Sequence, residues 1–363
     1  MLKKAWDALW GRGEYSVTVP PMDGALRPNA ALDEAETLLV AEGIDNLAVH
    51  GGLLYYTQGK TLLVLDAIGG TPRPVAAFNS DISALAISAA GKTAIGLDEG
   101  KLLFAPSPEE AGKGTEQSLS PPAHVTALAF SPNGDLYVCL GSAQHRPSQW
   151  KRDLMMRNAS GSVLRIAAQG GAPELIGDRL AFPDGVGFFS DGTPVVVEAW
   201  KNRLLQRGGD GRWQPLLVDL PGYPGRIAPA ADGGLWLAVF APRSQMIEFV
   251  LREKLYRERM VERIDEQFWM APTLRGGKSF KEPLQGGGVK HLGIHKPWGP
   301  TRSFGLVVKL DARGLPVLSQ HSRSDGNRHG ITSVLEWNGR TVAASKGDGV
   351  LISLIDFGGA DKP

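Results

Sequence analysis

The sequence predicts an all-β fold: a six-bladed β-propeller with an N-terminal strand closing the last blade and a helical insertion in blade five. Three observations predict it. One short motif returns six times, a polar or small residue followed two positions later by an aliphatic one at the head of a strand-like run. The copies are Asp45-Asn46-Leu47, Ser83-Ala84-Leu85, Thr126-Ala127-Leu128, Asp184-Gly185-Val186, Gly225-Arg226-Ile227 and Thr332-Ser333-Val334. Successive first residues lie 38, 43, 58, 41 and 107 positions apart, and a unit of about 40 residues with four short strands is a propeller blade. Tight-turn signals such as Pro132-Asn133-Gly134, Asp191-Gly192, Asp232-Gly233 and Asn338-Gly339 follow the motif, each before a second apolar run. Asn-Gly and Asp-Gly tolerate positive φ and so mark hairpins. Glycine is also abundant, at 46 of 363 residues, as a fold with many turns requires.

Each blade then supplies a third strand, among them Thr61–Leu65, Ser162–Ile166 and Val350–Leu354. Outer strands are visible at Pro173–Ile176 and Trp213–Val218. The last blade lacks one before the chain ends, and Glu36–Ala41 is placed to supply it, which closes the ring and removes its edges. The expected organisation is an N-terminal extension over 1–35 packing on the body and a propeller over 36–363. Blades three and five are long, with excess at about 141–161 and 241–303, between the second and third strands of each. In a propeller that connection lies on the same face as the motif heads, so both insertions should overhang the tunnel mouth.

The fifth-blade insertion contains a helical run from Gln245 to Ile264, with Ile247, Val250, Leu251, Leu255 and Val261 on one side. It packs onto the ring, or serves as a lid or as a dimer contact through about 245–268. Gln285–Pro300 is glycine-rich loop without a phosphate-loop signature. Leu2, Trp6, Leu9 and Trp10 form one side of a short N-terminal helix that docks on the body or contacts a partner or membrane.

Composition excludes several classes. With 39 basic and 38 acidic side chains the net charge is +1, unsuited to nucleic acid as the main partner. Cys139 is the single cysteine, so no intramolecular disulfide forms, and it reads as a packed strand residue. No run of 18 apolar residues spans a membrane and the N-terminus lacks a secretory leader, so the expected location is cytoplasmic. There is no spaced Cys/His set for zinc and no Gly-x-Ser-x-Gly elbow.

The run Phe182-Pro-Asp-Gly-Val-Gly-Phe-Phe-Ser-Asp-Gly192, then Val195-Val-Val-Glu-Ala-Trp200, Asp219-Leu-Pro-Gly-Tyr-Pro224 and Ile331-Thr-Ser-Val-Leu-Glu-Trp-Asn-Gly339, resembles the strictosidine synthase-like family. The resemblance covers roughly Gly43 to the C-terminus. It implies a six-bladed propeller related to paraoxonases, gluconolactonases and the senescence marker protein. It also implies, for hydrolytic relatives, a calcium ion in the tunnel held by Glu, Asn and Asp from the blade heads.

Carried over residue by residue, that ligand set is only partly kept. Asp45 stands in place of a Glu, Asp184 in place of an Asn, Gly225-Arg226 in place of an Asp-Asn pair, and Leu140 at a polar position. A divalent ion beside the Arg226 guanidinium is repelled by ~1–4 kcal/mol per unit charge pair at close range, across dielectrics from water-like to protein-surface-like. The expectation is that Arg226, held by Asp45 and Asp184, replaces the ion and that no cofactor is needed. The alternative is that Arg226 turns outward and Asp45 and Asp184 keep calcium. The alkaloid-forming member of the family uses a last-blade Glu as base; that position here is Thr332, so strictosidine synthesis itself is not expected. His329 nearby serves as acid or base, or is hydrogen-bonded in an inter-blade loop.

The lids add basic and aromatic residues. His145, Arg146, Trp150, Lys151 and Arg152 lie in blade three's insertion, Trp200, Lys201 and Arg203 in blade four, and His291, His295, Lys296, Trp298 and Arg302 in blade five's insertion. Of these, His145, Trp150, Trp200, His295, Trp298 and Arg302 are the candidate substrate contacts, suited to an anionic or aromatic small molecule. The expected function is hydrolysis of a small-molecule ester or lactone at the tunnel mouth, with Asp45, Asp184, Arg226, His329 and Thr332 as the catalytic candidates. The alternative is a non-hydrolytic binding protein, or an enzyme of another reaction type, on the same ring.

Overall fold

The alternating runs and hairpin turns form six four-stranded antiparallel sheets, each a propeller blade. The computed structural model describes residues 19–119, 124–279, 281–283, 290–291, 294–295 and 301–356. Blade one is Ile44–His50, Leu53–Gln58, Thr61–Leu65 and Arg73–Ala77. Blade two is Ile82–Ile87, Thr93–Leu97, Lys101–Ala105 and Thr115–Gln117. Blade three is Val125–Phe130, Leu136–Leu140, Gly161–Ile166 and Glu174–Leu180. Blade four is Pro183–Phe188, Pro194–Glu198, Arg203–Arg207 and Trp213–Leu217. Blade five is Gly222–Pro229, Leu235–Pro242, Leu306–Leu310 and Pro316–His321. Blade six is Ile331–Trp337, Arg340–Ser345 and Val350–Ser353, completed on its outer edge by Glu36–Val40. That closing strand pairs Glu36 with Ser353 and Val40 with Val350, so the two ends of the propeller are tied by one ladder.

Apolar side chains fill the spaces between neighbouring blades. Cys139, for example, packs with Val163, Val186 and Val196 between blades three and four, and is fully buried. Burial pushes its thiol well above the usual range, which leaves it unreactive.

A β-bulge falls in the innermost strand of every blade, at the motif itself. Pairing with the second strand skips Ser83, Thr126, Asp184 and Thr332, and an extra residue also falls between Asp45 and Ala48 and between Pro224 and Ile227. A bulge inserts one unpaired residue and re-aims its side chain. In blades two, three, four and six that unpaired residue is the first motif position, which therefore leaves the ladder, whereas in blade one Asp45 stays paired with Thr57 and the extra residue follows it. In blade one Asn46 takes the turn at φ 50°, a left-handed conformation that Asn tolerates better than most residues.

Both long connections lie between second and third strands. In blade three the insertion carries helix α2 (Trp150–Met156), α1 being a short turn at Ala31–Glu34. In blade five the single helix read from the sequence is broken: α3 (Gln245–Arg252) and α4 (Lys254–Arg263) meet at Glu253, whose ψ of 81° is not helical. Ser244 caps α3, its Oγ accepting from the Ile247 N–H at 3.3 Å. The break re-aims the second half. Ile247, Val250, Leu251 and Val261 are buried as expected, but Leu255 is 71% exposed and Met260 and Arg257 take the inward positions.

Of the N-terminal extension, Leu32 and Ala35 enter the core beside Trp236, Val307 and Ile331. Asp33 accepts from the Arg323 and Asn327 N–H groups at 2.8 and 2.7 Å. The helix expected around Trp6 and Trp10 lies outside the described residues. Among the described residues no helix is long and apolar enough to cross a membrane.

Candidate functional site

Five motif heads and the residue beside the sixth meet at the floor of one cavity. Asp45, Ser83, Thr126, Asp184, Arg226 and Thr332 line it, in a volume of about 310 Å³. Arg226 reaches across the ring. Its Nη1 donates to Asp45 Oδ1 at 2.9 Å and to the Thr332 carbonyl at 3.3 Å. Its Nη2 donates to the carbonyls of Ser83 at 2.7 Å and Thr126 at 3.4 Å. Four terminal N–H groups thus meet four protein oxygens from blades one, two, three and six. What Arg226 offers a ligand is charge, since its terminal donors are spent.

The two head carboxylates have opposite environments. Burial alone would push the Asp45 carboxyl up, but the charges of Arg226 and Lys346 overcome it and hold it well below the usual carboxylate range. Lys346 Nζ donates to Asp45 Oδ2 at 2.8 Å, and the Asn46 N–H donates to Oδ1 at 2.8 Å. Thr332 Oγ1 sits beside the same carboxylate and favours its ionised form while falling short of hydrogen-bond geometry. Among the described residues no hydrogen bond or ion pair reaches Asp184. Burial pushes its carboxyl up to about 7; the negative charge of Asp45 adds to this, and Arg226 and Lys346 oppose it only in part.

Glycines allow this crowding. A Cβ on Gly185 would lie 2.4 Å from the Gly225 carbonyl, and one on Gly225 would lie 3.3 Å from Asp184 Oδ2. Side chains there would force blades four and five apart at their heads and remove Asp184 from the Arg226 neighbourhood.

The walls come from the blade-three lid and from the head-face ends of blades two, four, five and six. Trp150, Phe182 and Phe240 form the aromatic side, and Asp81, Asp98 and Lys346 the polar side. Ser148 donates from its N–H and Oγ to the two Asp98 oxygens at 2.7 and 2.8 Å, pinning the blade-three lid to blade two. Helix α2 and helices α3–α4 share one apolar cluster with Phe182, Tyr223 and Phe240, so the two insertions form a joint roof edge.

The candidate residues divide accordingly. Asp45, Asp184, Arg226, Thr332 and Trp150 are brought together. Trp200 stands behind the wall, stacked on Phe182 at 4.4 Å, its Nε1 donating to Asp153. His145 Nδ1 sits 3.1 Å from Asp153 Oδ2, within the same buried network and away from the cavity lining. Arg302 is buried, donating to the Ala271 carbonyl at 2.9 Å. His329 is buried between blades five and six, its ring nitrogens on Ser303 Oγ at 2.8 Å and the Arg323 carbonyl at 3.0 Å. Burial pushes that ring down to about 4, aided by Arg275, so it is neutral near pH 7. Lys201 and Arg203 both pair with buried Glu198. The His295 side chain and Trp298 lie outside the described residues. Sequence reasoning missed Lys346, although it directly follows the second strand of blade six, the position where a propeller strand arrives at the head face.

The donor set does not suit a hard cation. Among the described residues no group of three or more His, Cys, Asp or Glu could hold a metal. The space a divalent ion would share with Asp45 already contains two cationic side chains, at 2.9 and 2.8 Å.

No family model matches the chain. It is 24% identical over 271 residues to the adipocyte plasma membrane-associated protein of Danio rerio, a match covering 65% of this chain. The chain spans 64% of that relative's length, just under two thirds. Among solved structures, a gluconolactonase from Xanthomonas campestris superposes with a TM-score of 0.56 at 14% identity, covering 93% of this chain and 96% of that one. The calcium-binding protein regucalcin from Agrobacterium tumefaciens superposes with a TM-score of 0.53 at 16% identity, covering 93% and 95%. At these identities the likeness is one of fold, the six-bladed propeller.

Proposed function

We propose that the chain is a hydrolase of a small-molecule ester or lactone bound in the head-face cavity, with Arg226 standing where hydrolytic propeller relatives would place calcium. One observation carries the reading: two carboxylates share a cavity floor, one locked by two cations and the other free of protein partners with its carboxyl raised to about 7. Paired groups whose environments drive them apart are how a site divides acid–base labour. In this reading the Asp184 carboxylate takes a proton from water as the water oxygen bonds to the carbonyl carbon. Lys346 and the Arg226 charge offset the oxyanion that develops, and the proton on Asp184 passes to the departing alkoxide as the C–O bond breaks. Asp45 keeps both cations in place. His329 is not needed as a proton carrier.

The test is a panel of lactones and aryl esters assayed with and without added calcium. Hydrolysis that is lost in Asp184→Ala and indifferent to calcium supports the reading, and inactivity of the wild type across the panel removes it. Calcium that stays stoichiometric through dialysis would overturn the replacement of the ion by Arg226. The second reading is a small-molecule binding protein without hydrolysis. The spent donors of Arg226 favour it, because its four terminal N–H groups are turned to protein oxygens and not to an oxyanion.

A further inference from the structure

We infer that the head-face cavity selects a cationic ester: the positively charged group sits at the rim, between Asp81, Asp98 and the aromatic side, and the ester oxygens rest on the floor beside Thr332 and Lys346. The inference rests on the reading of this cavity as a hydrolase site and names its substrate class. Its sign is opposite to that of the anionic ligand expected from the lid sequence. The basic lid residues behind that expectation are held away from the lining: His145 on Asp153, Arg302 on the Ala271 carbonyl and Lys151 on Glu266.

Charge sets the class of ligand. In the lining, the four carboxylates of Asp45, Asp81, Asp98 and Asp184 face two cations, Arg226 and Lys346. Both cations are held by one carboxylate, Asp45, at 2.9 and 2.8 Å, and among the described residues no ion pair reaches Asp81, Asp98 or Asp184. The excess charge is therefore negative whether Asp184 is ionised or holds a proton. Asp81 and Asp98 carry it at the rim, brought together by the Asp98 N–H, which donates to the Asp81 carbonyl at 2.8 Å. Asp81 is exposed. Asp98 accepts from the N–H and Oγ of Ser148, which are neutral donors, so its charge stays uncompensated and its remaining lone pairs stay open. A cleft lined by an excess of one sign draws ligands of the other.

Two further observations point to a ligand here. Thr332 lines the floor and is 8% exposed, yet its Oγ1 is buried without a hydrogen-bond partner. An unpaired buried hydroxyl is costly, and one χ1 rotation presents it to an ester oxygen. Lys346 serves the same oxygen: its side chain is 39% exposed and among the described residues Asp45 is its sole partner, so two of its three N–H groups remain. The aromatic side is the second observation. Trp150 and Phe240 meet edge to face at 5.4 Å, and Phe182 is stacked on Trp200, so the rings are held in place around the cavity. Ring faces attract cations, and they do so most where water is excluded. The volume of about 310 Å³ accommodates one aromatic ring on a short charged chain.

The experiment compares ligands of different charge on the full chain. Isothermal titration with benzyltrimethylammonium, benzyl alcohol and benzoate reads binding, and hydrolysis of benzoylcholine against its uncharged isostere 3,3-dimethylbutyl benzoate reads selection. Expected are a benzyltrimethylammonium affinity about tenfold above that of benzyl alcohol or benzoate, and a kcat/KM for benzoylcholine about tenfold above that of the isostere. Added salt should weaken the cation and leave benzyl alcohol unchanged. Asp81→Asn should reduce both preferences about threefold, and Asp81→Lys should abolish them. No binding of the cation, equal affinity for the cation and benzyl alcohol, benzoate bound as tightly as the cation, or wild-type preference in Asp81→Lys would overturn the inference. The first three need no variant. Benzyltrimethylammonium binding without hydrolysis of either ester would remove the hydrolase reading and keep the cation site. Hydrolysis of both esters at equal kcat/KM would do the reverse.

Discussion

The tunnel through the ring has two mouths built from the same six strands, and they are chemically opposite. On the head face, carboxylates, two cations and hydroxyls meet in a cavity of about 310 Å³. On the far face, Leu47, Leu85, Leu128, Phe130, Phe188 and Ile227 line an apolar funnel of about 890 Å³. A constriction of about 60 Å³ that includes Arg226, Val186 and Val334 separates them. The difference begins two residues apart in sequence, at the polar head and at the aliphatic residue after it. The bulge frees the head to face the axis, whereas the aliphatic residue returns to regular pairing. Volume therefore does not indicate chemistry here. The larger space lacks convergent charge, and the smaller one holds the perturbed carboxyls.

The largest expected break in this contrast is Arg226→Met. It would leave Asp45 with Lys346 as its one cation and take the guanidinium donor from the Ser83, Thr126 and Thr332 carbonyls. Urea denaturation should show a loss of about 3–5 kcal/mol, as for breaking a buried ion pair from one side.

Asp184→Asn should act in the other direction at alkaline pH. The folded carboxyl, near 7, lies above its ordinary value of 3.8, so its contribution favours folding below about 3.8 and is lost as pH rises through 7. The variant should therefore exceed the wild type by about 1–3 kcal/mol at pH 8, the difference vanishing in acid, while hydrolysis is lost. A variant less stable than the wild type at pH 8 would show that Asp184 is ionised and paired.

Asp45 supplies the mirror image. Its folded carboxyl is held below 3.8, so its contribution is present above that value and is lost as pH falls through the folded one. Asp45→Asn should cost about 2 kcal/mol at pH 7 and remove that part of the acid-induced loss, read from melting curves across pH.

On the far face, Ile227→Val should cost about 1 kcal/mol of stability through lost packing and leave hydrolysis unchanged. The smallest effect belongs to Ser88→Ala. Ser88 Oγ is buried on that side without a partner, so its removal should be neutral or stabilising by up to about 1 kcal/mol. Altered hydrolysis in either far-face variant would mean that the two mouths communicate past Arg226.

Much of the fold was legible because propeller blades repeat. Six copies of one motif, the hairpin glycines and the missing outer strand before the C-terminus were enough to place blades, ring closure and both insertions. The helix over Gln245–Ile264 was less legible. Its apolar side is interrupted in sequence by Lys254 and Glu258, but only the structure, with packing against Phe182, Tyr223 and Phe240, shows a break at Glu253. The site was half legible. Asp45, Asp184, Arg226 and Thr332 follow from motif position, because position within a repeat maps to position on the axis. Lys346 carries no motif of its own. His145, Trp200, Arg302 and His329 have the right chemistry in the right segments, but each finds nearer partners in the packed protein. Side-chain type shows what a residue can do, and neighbours from distant sequence decide whether it is left free to do it.

By itself, then, the sequence determined the ring and the identity of the groups on its axis, since both depend on local repetition: alternation, turn residues and one polar position per blade. The tertiary structure alone decided their states. Asp45 and Asp184 are the same residue type at the same motif position of two blades. One is ionised and locked between Arg226 and Lys346, and the other is raised to about 7. That difference comes from distances of a few ångströms among residues up to 301 positions apart, across which burial and charge act but sequence spacing carries no information.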